Sequence, residues 1–283
     1  MKNIKVKTPA KINLTLEILN KREDGFHNIQ SIMQTISLYD ILSFEISENE
    51  NLKIELDGNS DEIPYDETNL VYKSAKIFFE KLKINNCKLS VYIEKNIPVS
   101  AGLAGGSTNA AGTLSALNKL FDEPLNDTEI NNLCSKLGSD INFCLNGGCA
   151  LCTSRGEITE PLPVYIQKVS LIKPKNICVS TKDAYLKFSQ MKDKSIPNNT
   201  GKLKNLLLQG SFDENLLFNS FEKALFPVCP KLQEIKNNIK HSVMSGSGST
   251  FFVLNDKIET ALSLNEYDIF ENLTTTNEGI VLF

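Results

Sequence analysis

The sequence of 283 residues contains no tryptophan and only two histidines, His27 and His241. Two isolated histidines exclude an HExxH metalloenzyme. The seven cysteines are scattered, and their odd number in a chain of this length predicts buried free thiols. Cys149 and Cys152 form a CxxC pair, but no second pair completes the four ligands of a structural zinc site. We therefore expect no protein metal ligands, and we interpret the pair as part of a buried strand.

Long apolar runs and an excess of positive charge are also missing. No apolar run is long enough for a membrane span, and the N-terminal segment alternates polar and apolar residues instead of resembling a signal peptide. The formal net charge is −4, so no basic surface for nucleic acid is indicated. These absences predict a cytoplasmic protein that binds neither membrane nor nucleic acid. We expect a monomer or a homodimer, a choice that the sequence does not make.

Hydrophobic periodicity predicts an α+β fold. Residues 11–19 alternate strictly, with Ile12 and Leu14 on one face and Asn13 and Thr15 on the other, which is typical of a half-buried strand. Further strands are predicted over residues 28–47, 51–58, 87–95 and 147–154. Helices are predicted over residues 67–83, with Asp66 or Thr68 as the cap, over 107–121, and around 130–137.

The pattern changes after about residue 156. Short strands are predicted at 168–175 and on both sides of the turn at 245–250, and helices at 182–193, 212–226 and 229–239. Residues 195–211 are rich in loop-forming residues. We predict two domains, 1–155 and 156–283.

The stretch PVSAGLAGGSTNAAG, residues 98–112, places small residues where a strand leads into a helix. Glycine lets a backbone approach a phosphate closely, and the N–H groups at a helix N-terminus bind anions. Neither the P-loop pattern nor the GxGxxG fingerprint is present. Close packing of the helix on a strand is an equally good explanation from composition alone.

The same stretch resembles the phosphate loop of the GHMP kinase superfamily, through Pro98, Gly102, Leu103 and the residues that follow. Four other segments are similar to one family in it, the 4-diphosphocytidyl-2-C-methyl-D-erythritol kinases: TPAKINLTLEI from residue 8, REDGFHN from residue 22, LGSDINFCLNGG from residue 137 and MSGSGSTFF from residue 244. SRGE, residues 154–157, matches as well. Ile141-Asn142 and residues 186–210 depart from the family pattern.

The resemblance implies a two-domain GHMP kinase fold. Its N-terminal domain resembles a ribosomal-protein domain, and its C-terminal domain is a ferredoxin-like α/β sandwich. The implied activity is transfer of the ATP γ-phosphoryl group to the 2-hydroxyl of a cytidine-diphosphate-linked alcohol in non-mevalonate isoprenoid synthesis. ATP with Mg²⁺ is the implied co-substrate. Homoserine or mevalonate kinase activity is the alternative within the superfamily. An RNA-binding module and a dinucleotide oxidoreductase are the alternatives outside it.

The resemblance also assigns site residues. Asp140 is the implied base and Lys11 the cation beside it, although a helix cap and a strand-edge lysine are the plainer explanations. The implied ATP-binding residues are Asn69, Pro98, Val99, Ser100, Ala101, Gly102, Leu103, Ala104, Gly105, Gly106, Ser107 and Thr108. The implied substrate-binding residues are Asn13, Phe26, His27, Thr181 and Tyr185, with Phe26 and Tyr185 expected to stack on the base. For Asn69, helix capping is an equal alternative to ATP binding. For Asn13, a place on a solvated polar face is an equal alternative to substrate binding.

Overall fold

The computed structural model describes residues 2–260 and 262–283, which fold into two β-sheets with helices packed against them. The described residues form twelve strands: β1 (Lys2–Lys21), β2 (His27–Glu48), β3 (Lys53–Gly58), β4 (Cys87–Glu94), β5 (Cys149–Ser154), β6 (Ile158–Leu162), β7 (Lys168–Pro174), β8 (Phe218–Asn219), β9 (Val243–Met244), β10 (Phe251–Leu254), β11 (Tyr267–Thr274) and β12 (Val281–Leu282). They also form eight α-helices: α1 (Leu70–Leu82), α2 (Gly105–Leu120), α3 (Asp127–Leu137), α4 (Ile141–Asn146), α5 (Thr181–Gln190), α6 (Asn199–Leu208), α7 (Ser220–Leu225) and α8 (Pro230–Asn238). This mixture confirms the predicted α+β class.

The first sheet has the strand order β12-β1-β2-β4-β3, with β5 and β6 continuing from β2 and β8 pairing with β1. The second sheet has the order β11-β7-β10-β9. The chain moves from the first sheet to the second between β6 and β7, while β8 and β12 return to the first. Residue 156 lies in the turn between β5 and β6, so the division into 1–155 and 156–283 remains a prediction.

Strand β1 is buried on both faces in its central part, which corrects the prediction of a half-buried strand. Thr15 and Glu17 are covered because helix α6 packs against them. The Glu17 carboxylate accepts a hydrogen bond from the backbone N–H of Asn199 at 2.6 Å, and the Thr200 hydroxyl donates to that of Thr15 at 3.0 Å. The prediction of strict alternation over residues 11–19 is also wrong, because the register of β1 against β2 shifts between Asn13 and Thr15. Lys11 and Asn13 therefore contact each other on one side of the strand, whereas Thr15 and Glu17 contact α6.

Helix α2 is almost entirely buried, because its small residues let it lie close to β1 and β2. At Gly112 an added Cβ atom would come within 2.5 Å of the Thr8 side chain and 3.2 Å of Val6. The close-packing explanation therefore holds for the body of this helix, beyond the loop that precedes it.

Two predicted helix starts are wrong by a few residues. Helix α1 has Asn69 as its N-cap, whose side chain accepts from Val71 N, while the Asp66 carboxylate bonds to Thr68 instead. Helix α2 begins at Gly105 rather than near Ser107. In both cases polar or small residues continue across the true boundary, so composition does not mark it.

Two predictions in the C-terminal half are also wrong. Residues 199–208, predicted as loop, form α6, because Thr200, Leu203 and Leu207 recur at helical spacing and are buried. Residues 212–226, predicted as one helix, contain a 3₁₀ turn, strand β8 and the short helix α7. The predicted strand around Cys149 and Cys152 is confirmed as β5, where both thiols are buried. No described helix is long and apolar enough to cross a membrane.

Candidate functional site

A cavity of about 980 Å³ lies where the two sheets meet the N-terminus of α2. It is bounded by β1, the turn at 22–27, the loop at 98–104, the start of α5 and the turn at 245–250. Every site residue predicted from the sequence lines it, except one. The exception is Thr108, which is fully buried, with its hydroxyl lacking a hydrogen-bond partner. The family pattern marks a hydroxyl here, but the turn of the helix directs it into the core.

The loop at 98–104 is held against the glycine-rich turn at 245–250. The Ser245 hydroxyl donates to the Gly102 carbonyl at 2.9 Å, and Thr250 N donates to the Ala101 carbonyl at 3.3 Å. Gly102 has a φ of +76°, and an added Cβ atom would lie 2.0 Å from the Ser245 carbonyl oxygen. Two segments more than 140 residues apart in sequence therefore form one structure, and only glycine fits at the contact.

Helix α2 presents unpaired backbone N–H groups to the cavity. The first N–H groups of a helix have no partner within it, and the helix dipole favours negative charge there. Gly105, Gly106 and Ser107 form this first turn and line the cavity, and no acidic residue lies among them. Ala104, at the N-cap, has a φ of +59° and no side-chain cap. The end of this helix is thus left open for an anion.

Lys11 and Asp140 form an ion pair inside the cavity, with Nζ 3.5 Å from Oδ2. The Lys11 ammonium is 3% exposed and also donates to Asn13 Oδ1 at 2.7 Å and to the Gly102 carbonyl at 3.1 Å. Lys11 is therefore not the strand-edge lysine that residue type alone favours. At this point β1 is covered by the glycine-rich loop, because Lys11 N donates to the Leu103 carbonyl.

The Asp140 carboxylate is free of the capping role that its sequence position suggests. Asp140 is the N-cap of α4, yet its side chain makes no capping hydrogen bond. It is about one-third exposed and faces the cavity. It is also the only carboxylate among the described residues that line the cavity, where the cations are Lys11, Lys21, Lys95, Arg155 and Lys182. The cavity is thus cationic although the chain carries a net negative charge.

The side chain of Asn13 makes three hydrogen bonds to the protein. Its Oδ1 atom accepts from Lys11 and from Gly246 N, the latter at 2.9 Å, and its Nδ2 atom donates to Ser31 at 2.8 Å. Asn13 is buried, so the alternative of a solvated polar face is wrong. Asn69 is similarly engaged, because its amide caps α1 and donates to the Pro64 carbonyl at 2.6 Å. Both ends of that amide are thus engaged by the protein, and only the Oδ1 end acts as the cap.

Aromatic side chains line the end of the cavity near the turn at 22–27. Phe26 is 51% exposed, and the Arg155 guanidinium carbon lies 5.1 Å from its ring centroid. His27 is buried and stacks on Tyr185, with ring centroids 5.1 Å apart and an interplanar angle of 14°. Tyr185 therefore stacks on His27 in this structure, whereas the sequence predicted it as the partner of Phe26 across a base. The Thr181 hydroxyl lies 3.0 Å from that of Ser247.

The environment of these rings shifts their titration. Burial lowers the pKa of His27, and the charges of Lys21 and Lys194 lower it further. Burial raises the pKa of Tyr185, and the negative charge of Asp140 adds to this effect. His27 is thus held as a neutral imidazole with Nε2 3.3 Å from the Ser189 hydroxyl, and Tyr185 keeps its proton.

Acidification should lower the free energy of unfolding through His27. Below the ordinary histidine pKa of about 6.5, the unfolded chain takes up a proton that the folded chain resists, so stability is lost as the pH falls. Urea unfolding at pH 7.5 and pH 5.5 checks this, and His27→Gln should remove part of the difference. His241, the other histidine, is exposed, and His241→Gln is the control. An equal pH dependence in wild type and His27→Gln would contradict the expectation.

Sequence reasoning missed Lys95, a buried cation beside the glycine-rich loop. Its Nζ lies 2.7 Å from Oδ2 of the fully buried Asp40, and burial lowers the pKa of the lysine while Asp40 opposes that shift. An added Cβ atom at Gly105 would lie 2.8 Å from this Nζ, so a side chain at Gly105 would point at Lys95, while Gly105 and Lys95 both line the cavity. The available signal was periodicity, because Leu89, Val91 and Ile93 form the buried face of β4 and residue 95 continues it.

Comparison with known proteins is consistent along nearly the whole chain. Residues 69–150 match the GHMP kinases N terminal domain. A 4-diphosphocytidyl-2-C-methyl-D-erythritol kinase of Prochlorococcus marinus (strain MIT 9215) is 41% identical over 279 residues, covering 92% of this chain and 88% of the relative. The enzyme of that name from Clostridium beijerinckii is 38% identical over 273 residues, covering 93% of this chain and 95% of the relative.

Solved structures agree with these sequence relatives. A crystal structure of 4-(cytidine 5'-diphospho)-2C-methyl-D-erythritol kinase superposes with a TM-score of 0.71 at 29% identity, covering 88% of this chain and 89% of that one. Homoserine kinase from Cytophaga hutchinsonii superposes with a TM-score of 0.73 over 100% of this chain and 98% of that one. Its identity is 20%, so this second likeness concerns the fold alone.

Proposed function

Since the chain belongs to the 4-diphosphocytidyl-2-C-methyl-D-erythritol kinase family of the GHMP kinases, we propose how its cavity performs this reaction. The enzyme transfers the γ-phosphoryl group of ATP to the 2-hydroxyl of 4-diphosphocytidyl-2-C-methyl-D-erythritol, a step in the synthesis of isoprenoid precursors. Such a transfer requires little covalent chemistry from the protein. It requires positioning, neutralisation of phosphate charge and a group that takes the hydroxyl proton.

ATP is assigned to the loop at 98–107. The free N–H groups of Gly105, Gly106 and Ser107 would hold phosphate oxygens, and Lys95 adds positive charge behind the loop. Among the described residues, no group of three or more His, Cys, Asp or Glu side chains could hold a metal ion. Mg²⁺ would therefore be bound through ATP, with the Ser107 hydroxyl as an oxygen donor in the cavity. The ion would neutralise phosphate charge.

Asp140 and Lys11 are assigned to the transfer itself, and their ion pair is the observation that carries this proposal. Asp140 accepts the proton of the 2-hydroxyl while the 2-oxygen of the acceptor bonds to the γ-phosphorus, and ADP leaves. Lys11 offsets negative charge on the transferring group. Asn13 and the Gly102 carbonyl hold the ammonium in place, so Asn13 acts by positioning Lys11.

The cytidine part of the acceptor is assigned to the aromatic end of the cavity. Phe26 supplies an exposed ring for stacking, and the His27–Tyr185 stack supplies the facing wall. A neutral His27 has one donor and one acceptor nitrogen, which matches the amide-like edge of cytosine. Thr181 joins this wall to the turn at 245–250 through Ser247. Division at residue 156, cytoplasmic location and a monomeric or homodimeric state remain predictions.

An acceptor assay with Phe26→Ala tests this assignment. ADP release should require the cytidylyl alcohol and should not occur with homoserine as acceptor. Phe26→Ala should raise KM for the cytidylyl alcohol by the equivalent of about 1–3 kcal/mol, the range for loss of base–aromatic stacking. KM for ATP should stay unchanged, because Phe26 is not among the residues assigned to ATP.

Tyr92→Ala is the matched control for Phe26→Ala. Tyr92 is 46% exposed, so its removal deletes a similar exposed ring that does not line this cavity. Phosphorylation of homoserine in place of the cytidylyl alcohol would refute the substrate assignment. An equal rise of both KM values in Phe26→Ala would instead indicate a damaged fold.

A further inference from the structure

The SRGE turn, residues 154–157, has no role in the reaction as assigned so far, although it lines the cavity through Arg155. Of the 30 lysines and arginines in the chain, only Arg22 and Arg155 are arginines. Both lie at the aromatic end of the cavity, one in the turn that carries Phe26 and one in the SRGE turn. Guanidinium differs from ammonium in being planar, in forming several directed hydrogen bonds and in stacking on aromatic faces. A chain that uses lysine elsewhere thus uses arginine where these properties apply.

Arg22 joins the two turns. Its Nε and Nη2 atoms bond to the Asp24 carboxylate, and its Nη1 atom donates to the Ser154 hydroxyl at 2.9 Å. Asp24 in turn accepts from Phe26 N at 3.1 Å. The backbone position of Phe26 is therefore tied to the start of the SRGE turn by charge-assisted hydrogen bonds, which are the stronger class.

Arg155 closes the connection from the other side. Its backbone N–H donates to Glu157 Oε2 at 2.8 Å, and its Nε donates to Oε1 of the same carboxylate at 3.3 Å. Ser154 also donates to Glu157, at 3.2 Å. The guanidinium fixed in this way lies over the Phe26 ring, 5.1 Å from its centroid. Backbone and ring of Phe26 are thus both held by the SRGE turn.

The same turn packs beside Asp140. Gly156 has a φ of +118°, and an added Cβ atom would be 3.6 Å from Ser139 Cβ and 3.7 Å from Asp140 Oδ1. The turn therefore lies beside Asp140 at Gly156 and holds the Phe26 ring at the neighbouring Arg155. The SRGE turn therefore sets the distance between the site for the reacting hydroxyl, at Asp140, and the site for the cytosine, at Phe26.

We propose that the SRGE turn positions the acceptor substrate, with Arg155 stacked on Phe26 to fix the ring as one wall of the cytosine site. Arg155 is a positioning residue for the base and does not take part in phosphoryl transfer. This inference rests on the assignment of cytidine to the aromatic end of the cavity. Removing Arg155 should weaken binding of the cytidine part by about 2- to 30-fold, the range of a cation–π contact from exposed to desolvated settings.

The absence of tryptophan provides a direct binding measurement. Phe26→Trp introduces the only indole in the chain, at an exposed position where folding should tolerate it. Its fluorescence should be quenched by cytidine 5′-diphosphate, the probe used here. Adding Arg155→Met to this variant should raise the Kd of the probe by about 2- to 30-fold. Adding Arg155→Lys instead should raise the Kd by a smaller factor, because lysine keeps the positive charge but lacks the planar group that stacks on the ring. Lys204→Met, a loss of one charge outside the cavity, is the control.

Kinetics separate a positioning role from a general structural one. With Phe26 intact, Arg155→Met should raise KM for the cytidylyl alcohol and leave kcat and KM for ATP unchanged. Arg155→Met and Phe26→Leu combined should cost less than the sum of the single changes, because each removes the same stack. Additive effects, or an unchanged Kd in the reporter variant, would overturn this inference alone. No response of the reporter to cytidine 5′-diphosphate would overturn the assigned cytidine site together with it.

Discussion

Replacing Asp140 by asparagine should lower kcat by about 10²–10⁴-fold, the usual contribution of general base catalysis. Asparagine has nearly the same shape but neither the charge nor the proton affinity of the carboxylate. KM values for ATP and the cytidylyl alcohol should change little, because the phosphate loop and the aromatic wall are untouched. Steady-state kinetics with both substrates check this. Asp183→Asn, the same charge change on α5 outside the cavity, is the matched control.

The Asp140→Asn variant leaves Lys11 almost fully buried without its carboxylate. The ammonium keeps Asn13 Oδ1 and the Gly102 carbonyl as acceptors, so the site should remain folded. Urea unfolding checks that kcat is not lost through unfolding. A near-normal kcat in a folded Asp140→Asn enzyme would remove the base assignment and leave positioning by the phosphate loop as the source of catalysis.

A double-mutant cycle tests whether Lys11 and Asp140 act together. Lys11→Met should also lower kcat, and the double variant should lose less free energy of activation than the sum of the single variants, because groups that act as a unit are not additive. Strict additivity would mean that the 3.5 Å ion pair has no joint role in the reaction.

Gly102→Ala should lower the free energy of unfolding by about 2–5 kcal/mol. A left-handed backbone costs a residue with a side chain about 1–2 kcal/mol, and the collision of Cβ with the Ser245 carbonyl adds an overpacking cost of about 1–3 kcal/mol. To relieve the collision, the loop at 98–104 would have to move away from the turn at 245–250. Because this loop is assigned to ATP, binding of ATP should weaken as well. Urea unfolding and KM for ATP are the measurements.

Gly210→Ala is the matched control for Gly102→Ala. Gly210 has a φ of +70° and no atom within 4 Å of an added Cβ, so the control contains the backbone cost without the collision. A loss at Gly102 no greater than that at Gly210 would show that the contact between the two glycine-rich segments contributes nothing to stability.

Local patterns in the sequence were sufficient to predict several strands and helices of this protein and its anion site. Alternation identified strands β1 and β4, and helical spacing identified α3, because these signals depend on neighbours in sequence. The density of small residues at 98–112 indicated both close packing and an anion site. The resemblance then pointed to Lys11 and Asp140, which residue type alone would have left as a strand-edge lysine and a cap.

Long-range contacts decided the rest. Helix α6 covers Thr15 and Glu17 of β1, the turn at 245–250 supports Gly102, and Tyr185 contacts His27, each across more than 140 residues of sequence. Thr108 and Gly105 belong to the phosphate-loop motif, yet one points into the core and the other faces Lys95. Periodicity determines which side chains share a face of an element. What covers that face depends on segments distant in the chain, and only the folded structure brings them together.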